Sequence, residues 1–355
     1  MIIDVTGFGW SGSGAVHDLL REYDDIKFAS FDKDWEFTLL WTTDGIYDLE
    51  HKLCYKHCRF GDSSNAIKRF LDLTEAQNRT PFLFYDKIFD GRYYDICKHY
   101  IDDLIQLSFE GRTFEELMFP SKKEKLLGPY YNIVRRLFGN RIAIRVLKKD
   151  YSQQIIKQRK HLIRVSYNPD NFEERTHQFM DEIFSYVRTD RNVPLVTDQL
   201  FPPDCPTMFF KYVGEPVKCI VVRRDPRDTY LLAKKAYNSN IPLPVENVQD
   251  FITFYKKTIE ETRVSESDQL LNIQFEDLIF HYERTIARIE HFLNISQHSR
   301  PKSKFNPAVS VNNTRLFNKY EGFEEDIRKI EDALQDSLYP YETAPIVEAI
   351  QGKVF

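Results

Sequence analysis

Long apolar runs are missing from this chain. Nowhere do roughly eighteen apolar residues stand together, which excludes a simple membrane-spanning helix. Cysteine is scarce: five residues, odd in number and scattered, exclude a disulfide framework and point to free thiols in a reduced compartment. Cys54 and Cys58 flank His57, but no second ligand pair follows at zinc spacing, so no metal site is expected. Positive charge is in deficit as well. Forty-nine Lys and Arg stand against fifty-four Asp and Glu, and the net charge of −5 argues against nucleic-acid binding through a general basic surface. An apolar run that reads as a core strand begins at residue 2, leaving no room for a signal peptide, and the expected location is the cytoplasm. Internal repeats and low-complexity tracts are absent too.

What is present is a globular composition, 42% hydrophobic and 29% charged, in 355 residues. That length suits one large domain or two modest ones, and 14% aromatics with sixteen prolines fit a folded enzyme better than a disordered tail. Glycine is sparing, at thirteen residues, yet four fall in Gly7-Phe8-Gly9-Trp10-Ser11-Gly12-Ser13-Gly14, directly after Met1-Ile2-Ile3-Asp4-Val5. Ala15, Val16, Leu19, Leu20 and Tyr23 follow at helical spacing. The segment therefore reads strand, glycine turn, helix. Amides at the first turn of a helix lack partners and lie at the positive end of its dipole, so this turn suits a phosphate. It is not a Walker loop, because Ser13-Gly14 stand where Lys and then Ser or Thr are needed. A Rossmann dinucleotide site also fits poorly, since Asp24 and Asp25 come too early for the ribose contact.

Beyond the first helix, Ile26 to Ser30 reads as a short strand. Residues 31–191 read as a mostly helical, aromatic and charged insert, with helices over Ser64 to Leu73 and Tyr94 to Leu107 and an exposed loop at Pro120 to Lys125. Within it, Thr80 to Tyr85 and Leu162 to Ser166 are candidate strands. From Val193 the alternation returns. Strands are expected at Pro194 to Asp198, Val217 to Val222 and Leu270 to Phe275, and helices from Pro226, from Asn247 to Val264 and from Glu283 to Leu293. The expected fold class is α/β: one domain over 1–355, its core at about 1–30 and 193–335, with a central parallel sheet flanked by helices. Ligands bind such sheets at the carboxyl ends of their strands, where Gly7 and Arg223 both fall.

The second informative stretch is Val221-Val222-Arg223-Arg224-Asp225-Pro226-Arg227-Asp228. A buried strand ends in three arginines with proline placed to open a helix. Arginine forms planar, bidentate bonds to phosphate, so this strand end suits an anion; taken alone, it also fits a surface of Arg–Asp pairs.

Together, the strand-glycine loop-helix, the Arg-Asp-Pro strand end, Asn272-Ile273-Gln274-Phe275-Glu276-Asp277-Leu278 and Ile289-Glu290-His291-Phe292-Leu293 resemble the sulfotransferase superfamily over roughly half the chain. The resemblance implies a P-loop-type fold and the co-substrate 3′-phosphoadenosine 5′-phosphosulfate, PAPS, with no metal. Carried over, Gly9, Trp10, Ser11, Gly12, Ser13 and Gly14 form the loop around the 5′-phosphate, and Arg224 meets the 3′-phosphate. Arg315, in Asn312-Asn313-Thr314-Arg315-Leu316-Phe317, is a further phosphate candidate. Two positions depart from the pattern. Trp10 stands where the family has Lys or Arg, and Leu232 stands where a serine shares the 3′-phosphate. A transfer that develops negative charge needs a cation there, and Arg223, Arg227, Lys87 and Arg145 are the candidates.

The acceptor must lose a proton as it attacks sulfur. Asp198, in Thr197-Asp198-Gln199-Leu200-Phe201-Pro202, is the first choice of base and His17 the second, the alternatives being a turn cap and a surface histidine. The expected activity is sulfuryl transfer to a hydroxyl or amine of a small molecule or glycan, with a carbohydrate as the expected acceptor. A non-catalytic nucleotide-binding protein of this fold and an ATP-dependent P-loop phosphotransferase are the alternatives.

Overall fold

The computed structural model describes residues 1–24, 26–28, 36–55, 60–81, 83–112, 122–147, 160–188, 190–236, 243–262, 264–296 and 298–351. Two compact units emerge. The first takes Met1–Thr42, Pro81–Asp90 and Thr176–Phe355, and the second Thr43–Thr80 and Gly91–Arg175. The described strands, in chain order, are β1 (Ile2–Gly7), β2 (Lys27–Phe28), β3 (Leu107–Gly111), β4 (His161–Val165), β5 (Leu195–Asp198), β6 (Val217–Arg223) and β7 (Leu270–Gln274).

The first unit is α/β. Its sheet runs β2-β5-β1-β6-β7, and every neighbouring pair is parallel. The chain leaves β1 toward β2 and β5 on one side and returns as β6 on the other, so the order reverses beside β1. A crevice at the strands' carboxyl ends is the consequence. All six residues of β1 are buried, as a central strand covered on both faces requires. On one face Ile3, Val5, Val196, Ile220 and Val222 pack against Ala15, Val16, Leu19 and Leu20 of the first helix, Ser13–Leu20, and Ile289 of the helix Tyr282–Leu293. A second core joins the helices Pro226–Ala236, Val248–Tyr255 and Glu324–Ala333 through Tyr230, Phe251, Tyr255 and Ile330.

Asp4 interrupts the apolar run of β1, and its carboxylate is fully paired. It accepts from Thr197 Oγ1 at 2.8 Å, Leu200 N at 3.0 Å and Phe201 N at 3.1 Å, fixing the turn after β5. Burial pushes this carboxyl up to about 7 despite those donors.

The second unit contains the helices Phe60–Arg79, Tyr93–Leu104, Lys122–Phe138 and Asn140–Leu147. It also holds the antiparallel pair β3–β4, registered from Leu107↔Val165 to Gly111↔His161. β4 matches the strand expected at Leu162 to Ser166. β3 went unread, because Leu107 continues the pattern of the preceding helix.

Other local expectations need correction. Thr80 to Tyr85 is not a strand in its described residues: Pro81 cannot donate to a ladder, Phe84 has φ 55°, and Tyr85 opens the short helix Tyr85–Ile88; Phe82 lies outside the described residues. Lys122 to Lys125 is helical rather than a loop, since Lys and Glu are strong helix formers and Leu126 and Leu127 continue the run; Pro120 and Ser121 lie outside the described residues, as do Ala29, Ser30, His57 and Cys58. The helix after Asn247 is capped by the Asn247 side chain, which accepts from Gln249 N at 2.8 Å, and ends in a π-helical turn, Lys256–Glu260. No described helix is long and apolar enough to cross a membrane.

Candidate functional site

The glycine loop joins β1 to the first helix through a chain that folds tightly back on itself. Ser11 N donates to Phe8 O at 2.9 Å and Ala15 N to Gly12 O at 3.0 Å. Gly12 has φ +87°, and a Cβ there would lie 2.4 Å from Phe275 Cδ2. At Gly7 a Cβ would lie 2.1 Å from Ser11 Oγ and 2.8 Å from Val222 O. Both positions require glycine for close approach. Gly9 faces open space instead. Trp10 carries a left-handed φ of 65°, strained for a bulky residue, and its ring is partly buried against the second core.

Ser13 and Gly14 open the helix. No side chain caps it and its first turn holds no acidic residue, so its positive end has no counter-charge of its own.

Arg224, just past β6, reaches this loop. Its Nη1 donates to Trp10 O at 3.3 Å, its Nη2 donates to Asn313 O, and its guanidinium lies 4.8 Å from the Phe275 ring centroid. Gly12 and Arg224 thus share Phe275. The two motifs, more than two hundred residues apart in sequence, meet on one ring. Arg224 Nε and Ser11 Oγ are buried without a hydrogen-bond partner, the condition an anion with several acceptor oxygens would relieve. The donors present therefore fit a phosphorylated nucleotide.

The neighbouring residues of the Arg-Asp-Pro stretch have other duties. Asp225 Oδ1 accepts from Arg227 N at 2.8 Å, capping the helix that Pro226 begins. Arg227 pairs with Asp225 through Nε at 3.0 Å and Nη2 at 2.7 Å, and with Glu331 at 2.9 Å. Asp228 accepts from Arg315 N at 2.9 Å and Leu316 N at 2.7 Å, holding the late segment beside the helix start. Arg223 Nη1 donates to Ile259 O at 2.6 Å. Among the cations proposed to replace the missing loop charge, Arg227 and Arg223 are thus engaged elsewhere. Lys87 lies on the surface over Phe84, and Arg145 belongs to the second unit.

Arg315 contributes its backbone more than its charge. Its Nη2 donates to Tyr341 O at 2.8 Å, and its guanidinium lies near the Phe280 and Tyr341 rings. Lys319 is a cation that sequence reading missed. Its Nζ donates to Asn312 O at 2.5 Å, next to the Asn313 carbonyl held by Arg224. Burial lowers its pKa first, and the Arg224 charge lowers it further against the pull of Asp228. A lysine four positions after Arg315 was the available signal.

A buried acidic cluster supports this side of the site. Glu276 accepts from Asp225 N at 3.0 Å, and Tyr341 OH donates to Asp228 at 2.5 Å and to Glu276 at 3.3 Å. Burial, then the charges of Asp225 and Asp228, push the Glu276 carboxyl up to about 8, and burial raises Asp228 to about 6.

The two base candidates come together. His17 Nε2 on the first helix lies 3.3 Å from Asp198 Oδ1 at the carboxyl end of β5, and both residues are buried. The turn-cap alternative for Asp198 falls to Asp4, which takes the amides of Leu200 and Phe201. His17 is buried, at 2% exposure, and is not a surface histidine. Gln199, with φ 57°, donates from Nε2 to Gly7 O at 3.2 Å and accepts from Thr6 Oγ1 at 2.9 Å, tying the end of β5 to the start of the loop. Among the described residues, no group of three or more His, Cys, Asp or Glu could hold a metal ion.

No protein-family model matches the chain, and no curated protein is similar to it in sequence. Solved structures do match, two sulfotransferase domains among them. One is the sulfotransferase domain from the Synechococcus PCC 7002 olefin synthase, at 12% identity over 99% of this chain and 90% of that one, with a TM-score of 0.36. The other is the sulfotransferase domain from the curacin biosynthetic pathway, at 12% identity over 96% of this chain and 92% of that one, with a TM-score of 0.33. At identities this low, the α/β architecture of the first unit stands on its own strand order and register.

Proposed function

We propose that this chain transfers a sulfuryl group from PAPS to a hydroxyl or amine of an acceptor, with carbohydrates the favoured class. The observation that carries the reading is the convergence of Gly12 and Arg224 on Phe275, which sets a helix N-terminus and a buried guanidinium at the ends of two adjacent strands. In this reading the amides and hydroxyls of Ser11 to Gly14 hold the 5′-phosphosulfate. Arg224, with Lys319 beside it, holds the 3′-phosphate.

The Asp198–His17 pair supplies the proton acceptor. As the acceptor oxygen or nitrogen forms its bond to sulfur, the bond from sulfur to the 5′-phosphate oxygen breaks, and the acceptor's proton passes to the pair. Charge shared across 3.3 Å keeps either group from holding a buried charge alone. Asp198→Asn is expected to lower turnover roughly a hundredfold while nucleotide binding persists. The measurement is release of 3′-phosphoadenosine 5′-phosphate from PAPS across a panel of sugar, phenol and amine acceptors. Full activity in the variant would move the base elsewhere.

Trp10 favours a second reading. With a ring in place of the loop cation, and with Arg223 and Arg227 bonded elsewhere, the same geometry suits a protein that binds the nucleotide without turning it over. Binding with no product from any acceptor would select this reading; sulfated product from any acceptor would remove it.

A further inference from the structure

The second unit carries a surface for which sulfuryl transfer has no evident use. Tyr130, Ile133, Leu137 and Phe138 of the helix Lys122–Phe138 and Ile142 of the helix Asn140–Leu147 are 47–68% exposed. Single exposed apolar residues are ordinary, but here Tyr130, Ile133 and Leu137 recur at helical spacing and share a face. Phe138 and Ile142 extend the apolar exposure across the junction to the next helix, whereas Val134 and Ala143 are buried. Five large apolar side chains left in water on two consecutive helices point to an interaction site.

Its charge says what kind. Residues 122–145 hold seven Lys and Arg and one acid, Glu124, in a chain whose net charge is −5. Arg135, Arg136, Arg141 and Arg145 are all exposed. A nucleic acid or other soluble polyanion would answer the cations and leave the apolar side chains in water. An apolar groove on another protein would cover the side chains and leave the arginines without counter-ions. A bilayer with anionic headgroups answers both, since large apolar side chains enter the headgroup boundary while guanidinium groups reach lipid phosphates.

We propose that the helix pair Lys122–Phe138 and Asn140–Leu147 docks the protein on an anionic lipid surface, lying in the plane of the interface. The proposal is independent of the nucleotide reading. Its test is co-sedimentation of the full-length protein with vesicles of neutral phosphatidylcholine, or of the same lipid with about a quarter phosphatidylglycerol, at near-physiological salt.

Binding to the anionic vesicles and not the neutral ones is expected. Arg135→Gln with Arg136→Gln should weaken it roughly tenfold or more. Leu137→Asp with Phe138→Asp, at exposed positions that spare the fold, should abolish it while the circular dichroism spectrum stays unchanged. Failure to bind anionic vesicles overturns the proposal, as does binding unaltered in the Asp variant. Equal competition by duplex DNA or heparin would show a general polyanion surface and overturn it also. A dimer in solution that Leu137→Asp dissociates would assign the face to a second copy of the chain instead.

Discussion

Trp10 brings no cation to the glycine loop, yet its backbone serves the site. Its left-handed φ turns the loop, and its carbonyl receives Arg224. Gly12 is the more constrained residue, with positive φ and the Phe275 ring 2.4 Å from where a Cβ would stand. Gly12→Ala is therefore expected to cost about 1–3 kcal/mol in denaturant unfolding, through the left-handed backbone and the displaced ring together; an unchanged midpoint and slope would show that the loop accommodates a side chain freely. At this scale the sequence was partly legible. Gly7 and Gly12 stood out by spacing, and Asp198 and His17 by chemistry. That the last two lie 3.3 Å apart could not be read, because β5 and the first helix are far apart in sequence and are brought together only when both flank β1 in the folded sheet. Arg227 reads as a candidate for the missing loop cation, but Asp225 and Glu331 hold it, and one sequence does not say which arginine of three adjoins an acid in space.

The strand-to-helix element at Arg223 to Ala236 does more than end in cations. Asp225, Asp228 and Glu276 form a buried acidic knot that fastens Leu316 and Tyr339 to the helix start. Glu276 has its carboxyl raised from 4.5 to about 8 by burial and by two neighbouring carboxylates. A raised carboxyl binds its proton more tightly in the folded chain, so its stabilising contribution is complete below about pH 4.5 and is lost as pH rises toward 8. Glu276→Gln keeps the oxygen that accepts from Asp225 N and removes the titration. The wild type should lose stability relative to this variant between pH 5 and pH 8 when unfolding free energies are compared across that range; parallel pH profiles would show that Glu276 stays ionised in the fold. The strands and helices of this element were legible from the abrupt change of an apolar run into Arg-Asp-Pro. The knot was not, since it joins segments more than a hundred residues apart.

Across the molecule, alternation of strands and helices at both ends of the chain gave the parallel sheet correctly, and β1, β5, β6 and β7 fall where apolar runs placed them. The middle was harder. The helix Phe60–Arg79 outruns the expected Ser64 to Leu73, the helix expected to reach Leu107 stops at Leu104 with β3 hidden in its pattern, and Pro81 to Asp90 and Thr176 onward group with the first unit. Contacts of high sequence separation decide such boundaries, and a local pattern does not carry them.

If the glycine loop and Arg224 form one site for a nucleotide phosphorylated at both ends, removing the guanidinium removes the preference for the 3′-phosphate. Calorimetric affinities of the wild type and Arg224→Ala would be measured for 3′-phosphoadenosine 5′-phosphate and for adenosine 5′-phosphate. The wild type should prefer the 3′-phosphorylated nucleotide by about 1.5–3 kcal/mol, roughly tenfold to a hundredfold, and the variant should lose that preference while binding adenosine 5′-phosphate unchanged. Equal affinities in the wild type, or an undiminished preference in the variant, would contradict that single site.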